Sequence, residues 1–240
     1  MLTDLPAAPG LELAALYRPA ARADLVGGDW YDAYPLLPHA AGTALPSPLA
    51  VTVGDITGHD MHAAAIMGQV RSMLRQADLD HQSLGPAAAV TAVENACHAL
   101  SLEATGSLVH AHLHPLEGGG GWQLTWTNAG HPPPLLVRPD RRTERLALHD
   151  LLLWPGMPDS RRTDRQRLLA PGARLLLYTD GLVEQRGTDT SLAIDRAAAI
   201  LAAAPANQPL PDLLQTVLGE VAGPSSRDDV VLLAVQVPDR

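Results

Sequence analysis

The chain has 240 residues, a formal net charge of −9, 46% hydrophobic and 3% aromatic residues, and no phenylalanine. That hydrophobic share excludes global disorder and predicts a core of Leu, Val, Ile and Ala. An acidic chain without a basic run offers no face to a phosphate backbone, so no nucleic-acid partner is expected. The single cysteine, Cys97, excludes an internal disulfide and points to a reducing compartment.

No signal-peptide pattern opens the chain, and no apolar run approaches the roughly 20 residues that span a bilayer. A cytoplasmic protein without membrane contact is expected, folded as a single domain over residues 1–240. "LELAALYRPA" (11–20) and "WYDAYPLL" (30–37) read as strands separated by "ARADLVGGD". A Pro-, Ala- and Gly-rich loop (38–48) leads to "LAVTVGD" (49–55), a short apolar strand. "MHAAAIMGQVRSMLRQA" (61–77) places Ala64, Met67, Val70, Met73 and Leu74 at helical spacing. A second helix starts near Pro86, a favourable first-turn residue, and runs to about Leu102.

"SLVHAHLHPL" and "WQLTWTNAG" form a hairpin across a glycine run, and "PPLLVRPD" with "TERLALHD" a second one. "ARLLLYTDG" reads as a buried strand, followed by helical patterns at 191–203 and 210–222. The turn "GPSSRDD" opens the last strand, "VVLLAVQV". Strands, two helices, strands, two helices and a strand predict an α+β fold. Two stacked sheets would lie between two helix pairs, not in a doubly wound parallel sheet.

Asp29, Asp55, Asp180 and the Asp228–Asp229 pair each lie where an apolar strand meets a glycine- or serine-containing turn. Strand ends of this kind gather at one edge of a sandwich, where loops carry chemistry. Converging carboxylates raise one another's pKa values unless a cation joins them, and oxygen-only ligands select Mg²⁺ or Mn²⁺ over zinc. Taken singly, each aspartate reads more readily as a turn or helix-cap residue than as a metal ligand.

"VGGDWYDAYPL", "LAVTVGDITGHDMHAA", "LTWTNAGHPPPLLVRPD", "LLLYTDGLVEQRG" and "RDDVVLLAV" follow in order over residues 11–237. Together they resemble the bacterial PP2C-type (PPM) serine/threonine phosphatases of the SpoIIE/RsbU branch. The resemblance implies a PP2C-like α-β-β-α four-layer sandwich of two mainly antiparallel sheets flanked by helix pairs. It also implies two Mn²⁺ or Mg²⁺ ions and hydrolysis of phosphoserine or phosphothreonine by a metal-activated water, without a phosphoenzyme. By motif, Asp55 would bridge both ions and the Ile56 carbonyl would complete one shell. Asp180 and Asp228 would bind the second ion, and Asp29 the first, directly or through its waters. Asp29, Asp55 and His59 are the catalytic candidates; His59 would protonate the leaving group or shape the loop.

The substrate implied is a phosphorylated anti-anti-sigma (STAS) protein in partner-switching control of sigma factors, as in stress responses. By analogy, the helical region after the second motif would support switching or a homodimer contact. Asp60 stands where most relatives have glycine, and would cap the following helix. Val231 replaces a usual Thr or Ser, and residues 151–164 lack the usual Gly-x-Pro-Leu-Gly run. These departures motivate the alternative, a PP2C-fold regulatory module with little turnover. Arg18, Arg22 and Arg227 are candidates for gripping phosphate. His110, His112 and His114, spaced two apart on one strand, are expected to form a packed or solvated polar face. His131 in "NAGHP" is read as loop architecture.

Overall fold

A computed structural model describes residues 4–20, 27–36, 45–154, 156–157, 160–184, 187–223 and 228–239. Arg22, Arg227, Ser225, Ser226, most of the 38–48 loop, and Pro155, Pro158 and Asp159 of the 151–164 segment lie outside these residues. One sheet runs in the order β1 (Glu12–Arg18), β10 (Val230–Gln236), β9 (Arg174–Tyr178), β6 (Leu135–Val137), β7 (Thr143–Arg145). The other runs β2 (Asp29–Pro35), β3 (Leu49–Ile56), β4 (Gly106–Pro115), β5 (Trp122–Ala129), β8 (Arg165–Leu169). Every pairing within both sheets is antiparallel. Helices α1 (Met61–His81) and α2 (Pro86–Ala99) cover the second sheet, and α3 (Thr190–Ala203) and α4 (Leu210–Val217) cover the first.

The four layers follow from strands that are apolar on both faces. In β10, Val231, Leu233 and Val235 enter the core between the sheets, while Val230, Leu232 and Ala234 lie beneath α3 and α4. In β4, Val109, Ala111 and Leu113 enter that same core, and Leu108 packs under α1 and α2. The core is aliphatic in the main, as a chain without phenylalanine requires. The few aromatics are nonetheless concentrated inside it: Trp30, Trp122, Trp126, Tyr31, Tyr34 and Tyr178 are all buried.

Both expected hairpins form, β4 with β5 and β6 with β7. Helix α1 runs to His81, beyond the expected residue 77, because its buried face continues through the polar Asp78, 1% exposed. A hydrophobic periodicity does not register that residue. Helix α2 stops at Ala99, short of Leu102, where Ser101 adopts a φ of 54°. The pattern at 210–222 divides into α4 and a π-helical turn, Leu218–Ala222, that ends at Gly223. Strand β8, which the sequence did not announce, is an exposed edge strand of sequence RQRLL, with no apolar alternation to reveal it. Among the described residues, no helix is long and apolar enough to cross a membrane.

The pairing register fixes the site. Asp29 opens β2 directly opposite Asp55 near the end of β3. Both continue the strand faces of Tyr31 and Val53, which point between the sheets. At the same end of the other sheet β9 runs out at Tyr178 beside the start of β10, where the Thr179 N–H donates to the Val231 carbonyl at 3.1 Å.

Candidate active site

The aspartates meet in the mouth between the sheets. Asp29 is buried and in hydrogen-bond contact with Asp55 and with the Thr179 hydroxyl. Burial, then the Asp55 charge, hold the Asp29 carboxyl well above the usual carboxylate range. Asp55 is pushed up to about 7, first by burial and further by the charges of Asp180, Asp228 and Asp229, although its bond with Asp29 pulls the other way. Asp180 is raised by burial and by the neighbouring charges of Asp228 and Glu184. Carboxyls from four separated strand ends therefore share one field, in which Asp29, Asp55 and Asp180 are all raised.

The backbone is built for close approach at this point. A Cβ on Gly28 would lie 1.8 Å from the Ile56 carbonyl oxygen. A Cβ on Gly181 would lie 2.1 Å from the Asp229 carbonyl oxygen and 3.3 Å from the Asp228 Cβ. Only glycine lets these turns press Asp29 and Asp180 against their neighbours.

The two acids of the "RDDV" motif differ in their surroundings. Asp229 is buried and holds the end of β1, accepting from the Tyr17 hydroxyl and the Ala20 N–H, both at 2.7 Å. Asp228 is exposed toward the site and accepts the Asp229 N–H at 2.9 Å. Asp60 accepts the Ala63 N–H at 2.9 Å and so caps α1. His59 is exposed on the loop between β3 and α1; the four aspartates come together and His59 stands outside their contacts.

Arg18, at the end of β1, donates from Nη1 to the Gly223 carbonyl at 2.7 Å. Its Nη2 is buried without a partner among the described residues, and burial lowers its pKa.

His131 is a structural bridge that the sequence reading gave only as loop architecture. It is buried, with Nδ1 2.7 Å from the Ser107 hydroxyl and Nε2–H donating to the Tyr178 carbonyl at 3.1 Å. Asn128 fixes its backbone, accepting its N–H at 2.7 Å and donating to its carbonyl at 3.0 Å. Burial lowers the imidazole pKa to about 3, so it is neutral and the Ser107 hydroxyl donates to Nδ1. Ser107 lies opposite Asp55 in the β3–β4 register, and Tyr178 lies two residues before Asp180. Thr179 likewise went unread; it bonds Asp29 and accepts the Val231 N–H at 2.9 Å. Its only signal in the sequence was its place beside Asp180.

The acid cluster fits divalent cations on two grounds. Asp29 Oδ2 and Asp180 Oδ1 are buried without hydrogen-bond partners among the described residues, and such oxygens are costly unless a cation takes them. All the donors are oxygens, which suit Mg²⁺ or Mn²⁺.

A family model described as stage II sporulation protein E (SpoIIE) matches residues 46–238. Among solved structures, the RsbU and RsbW domains of a Mycobacterium tuberculosis protein superpose with a TM-score of 0.80 at 29% identity, covering 99% of this chain and 64% of that one. The PP2C phosphatase domain of SpoIIE from Bacillus subtilis, with a fragment of its regulatory domain, gives 0.74 at 14% identity over 96% of this chain and 62% of that one. The chain thus spans less than two thirds of each of these two relatives. The catalytic domain of the serine/threonine phosphatase PstP, in complex with two manganese ions, gives 0.59 at 21% identity over 95% and 99%.

Proposed function

Because the chain belongs to the SpoIIE family, PP2C-type serine/threonine phosphatases of the SpoIIE/RsbU branch, we propose that it is a metal-dependent protein phosphatase acting on phosphoserine or phosphothreonine. The observation that carries this reading is the pair of buried, unpartnered carboxylate oxygens, Asp29 Oδ2 and Asp180 Oδ1, in one acidic mouth. The overall reaction is hydrolysis: water adds to phosphorus, and the serine or threonine oxygen leaves with a proton.

Asp55, which bonds Asp29 and feels the charges of Asp180, Asp228 and Asp229, would contact both ions. Asp29 and the Ile56 carbonyl would complete one shell, and Asp180 and Asp228 the other. Once bound, two Mn²⁺ or Mg²⁺ ions supply Lewis acidity, neutralise phosphate charge and lower the pKa of water. Thr179 keeps Asp29 aimed by its hydroxyl. His59, exposed on the loop that follows β3, would protonate the leaving oxygen.

The substrate we propose is a phosphorylated STAS-domain anti-anti-sigma factor. Its support is the M. tuberculosis relative, in which an RsbU domain accompanies an RsbW domain. The test is phosphate release from p-nitrophenyl phosphate and from a phosphoserine STAS protein. We expect turnover with Mn²⁺, loss with EDTA and recovery on adding Mn²⁺ back. Absence of turnover on every phosphoester with Mn²⁺ present would overturn the reading.

A further inference from the structure

Beneath α1, away from the acidic mouth, lies a second group of ligand-type side chains. Asp78 from α1 and His110 and His112 from β4 are 1%, 0% and 1% exposed. The two rings address different oxygens of one carboxylate. His110 Nε2 lies 3.0 Å from Asp78 Oδ2, and His112 Nε2 lies 2.9 Å from Asp78 Oδ1. Tyr34 of β2 donates its hydroxyl to Oδ2 at 2.7 Å, and Thr52 Oγ1 of β3 lies 2.8 Å from His110 Nδ1.

Among the described residues the partners of this carboxylate are the two histidines and Tyr34, with no arginine on it. The nearby Arg75 is bidentate on Asp32, at 2.6 and 2.7 Å, and Arg71 bridges the same carboxylate at 3.3 Å. Burial raises the Asp78 carboxyl, but His110 and His112 outweigh it and hold the group below its ordinary range, while burial lowers the His112 imidazole, so the charges in this sealed group rest on one another.

We propose that Asp78, His110 and His112 form a structural transition-metal site, with zinc the preferred ion. Two imidazole nitrogens and one oxygen of the Asp78 carboxylate make three ligands, whose atoms all lie within 4.8 Å of one another, and a water would complete four-coordination. Imidazole ligands suit Zn²⁺ and Co²⁺, in contrast to the all-oxygen mouth that suits Mn²⁺ and Mg²⁺. Tetrahedral bonds of about 2.0–2.1 Å place imidazole nitrogen and carboxylate oxygen about 3.3 Å apart. The ring already 2.9 or 3.0 Å from the ligating oxygen thus moves by a few tenths of an ångström, and the other swings toward it. Each imidazole stays neutral by carrying its proton on Nδ1, and for His110 the Thr52 hydroxyl accepts that proton, the orienting contact that metal-bound histidines use. The ion would join the last turn of α1 to the centre of β4. Because the site is sealed, it is loaded as the chain folds.

The test unfolds the protein in denaturant with chelator, refolds it with Co²⁺ or Zn²⁺, removes free ion by gel filtration and measures retained metal. The carrier is the Asp55→Asn/Asp180→Asn double variant, so that the acidic mouth does not contribute. We expect one retained ion per chain, the intense visible absorption of four-coordinate cobalt, and loss of both in a further Asp78→Asn or His112→Gln change. If either added variant fails to fold, the double variant decides alone. No retained ion, or cobalt with only the weak spectrum of an all-oxygen site, would leave the cluster a hydrogen-bonded network and overturn the proposal. Retention that survives both Asp78→Asn and His112→Gln would overturn it as well.

Discussion

The His131 Nε2–H donates to the Tyr178 carbonyl at 3.1 Å, joining a loop of one sheet to the strand of the other that delivers Asp180. The folded imidazole pKa of about 3 lies below the ordinary 6.5, so the unfolded chain binds the extra proton between those values. The stability this burial contributes is complete above pH 6.5 and is lost as pH falls toward 3, at up to about 1.4 kcal/mol per pH unit. Urea midpoints of wild type and His131→Asn, measured from pH 7.5 to pH 4.5, will converge as the pH falls. Parallel curves would show that the ring is not buried neutral.

The acidic mouth has the opposite sign. Asp55, at about 7 in the folded state, lies above its ordinary value of 3.8, and Asp29 and Asp180 are raised in the same direction. Without metal, these groups stabilise the fold fully below about pH 4, and that stability is lost as the pH rises through 7. EDTA-treated protein will therefore melt at a lower temperature at pH 8 than at pH 6 from this contribution. Mn²⁺ will raise the melting temperature more at pH 8, and its binding at pH 6 will release protons. Asp180→Asn removes one repelling charge; it will raise the metal-free melting temperature, abolish the response to Mn²⁺ and lower kcat at least about 100-fold. Melting curves with and without Mn²⁺ check the first two, and a variant that keeps its Mn²⁺ response would refute Asp180 as a ligand.

Much of this was legible in the sequence. Strands such as VVLLAVQ and RLLLY bury both faces, so their apolar runs are continuous and their acidic ends stand out. The layered order followed from where helices pair along the chain. Residues whose partners lie far away in sequence were not legible. Asp78 is one charge on a helical pattern until α1 is laid across β4. His131 gains its meaning only when Tyr178, 47 positions away, reaches its ring. Strand β8 is exposed and charged, so it lacks the alternation by which a half-buried strand declares itself.

Arg18 is the one of the three candidate arginines that lies among the described residues, and its Nη2 is buried without a partner there. If it grips the phosphoryl group, Arg18→Ala removes a charge-assisted bond worth about 1.5–3 kcal/mol, or roughly 10- to 100-fold in kcat/KM. The loss will appear with p-nitrophenyl phosphate as well as with a phosphoprotein, because both present the same oxygens. Arg18→Lys will recover little, since an ammonium does not reproduce the fork while also holding Gly223. Steady-state kinetics with both substrates check this; unchanged kcat/KM would remove Arg18 from the site.

Glu94 of α2 and Arg162 form a buried ion pair, with Arg162 Nε–H donating to Oε2 at 2.8 Å and Nη2 to Oε1. Arg162 also donates to the carbonyls of Leu151 and Leu152, so the pair pins this segment to the helix. The segment lies beside the mouth: Leu153 exchanges backbone hydrogen bonds with Gly106, which faces Ile56 in the β3–β4 register. There it leaves Leu151, Leu152 and Trp154 60%, 46% and 53% exposed, an apolar rim that the proposed protein substrate would meet and a small ester would not. Removing one partner of a buried pair costs about 3–5 kcal/mol because the other charge is stranded. Arg162→Met with Glu94→Gln strands neither charge while still releasing the rim. This double variant will raise KM for a phosphoprotein several-fold and leave p-nitrophenyl phosphate turnover within about twofold of wild type, which matched kinetics on the two substrates will read. Equal losses on both substrates would place the effect in the metal mouth instead of the rim.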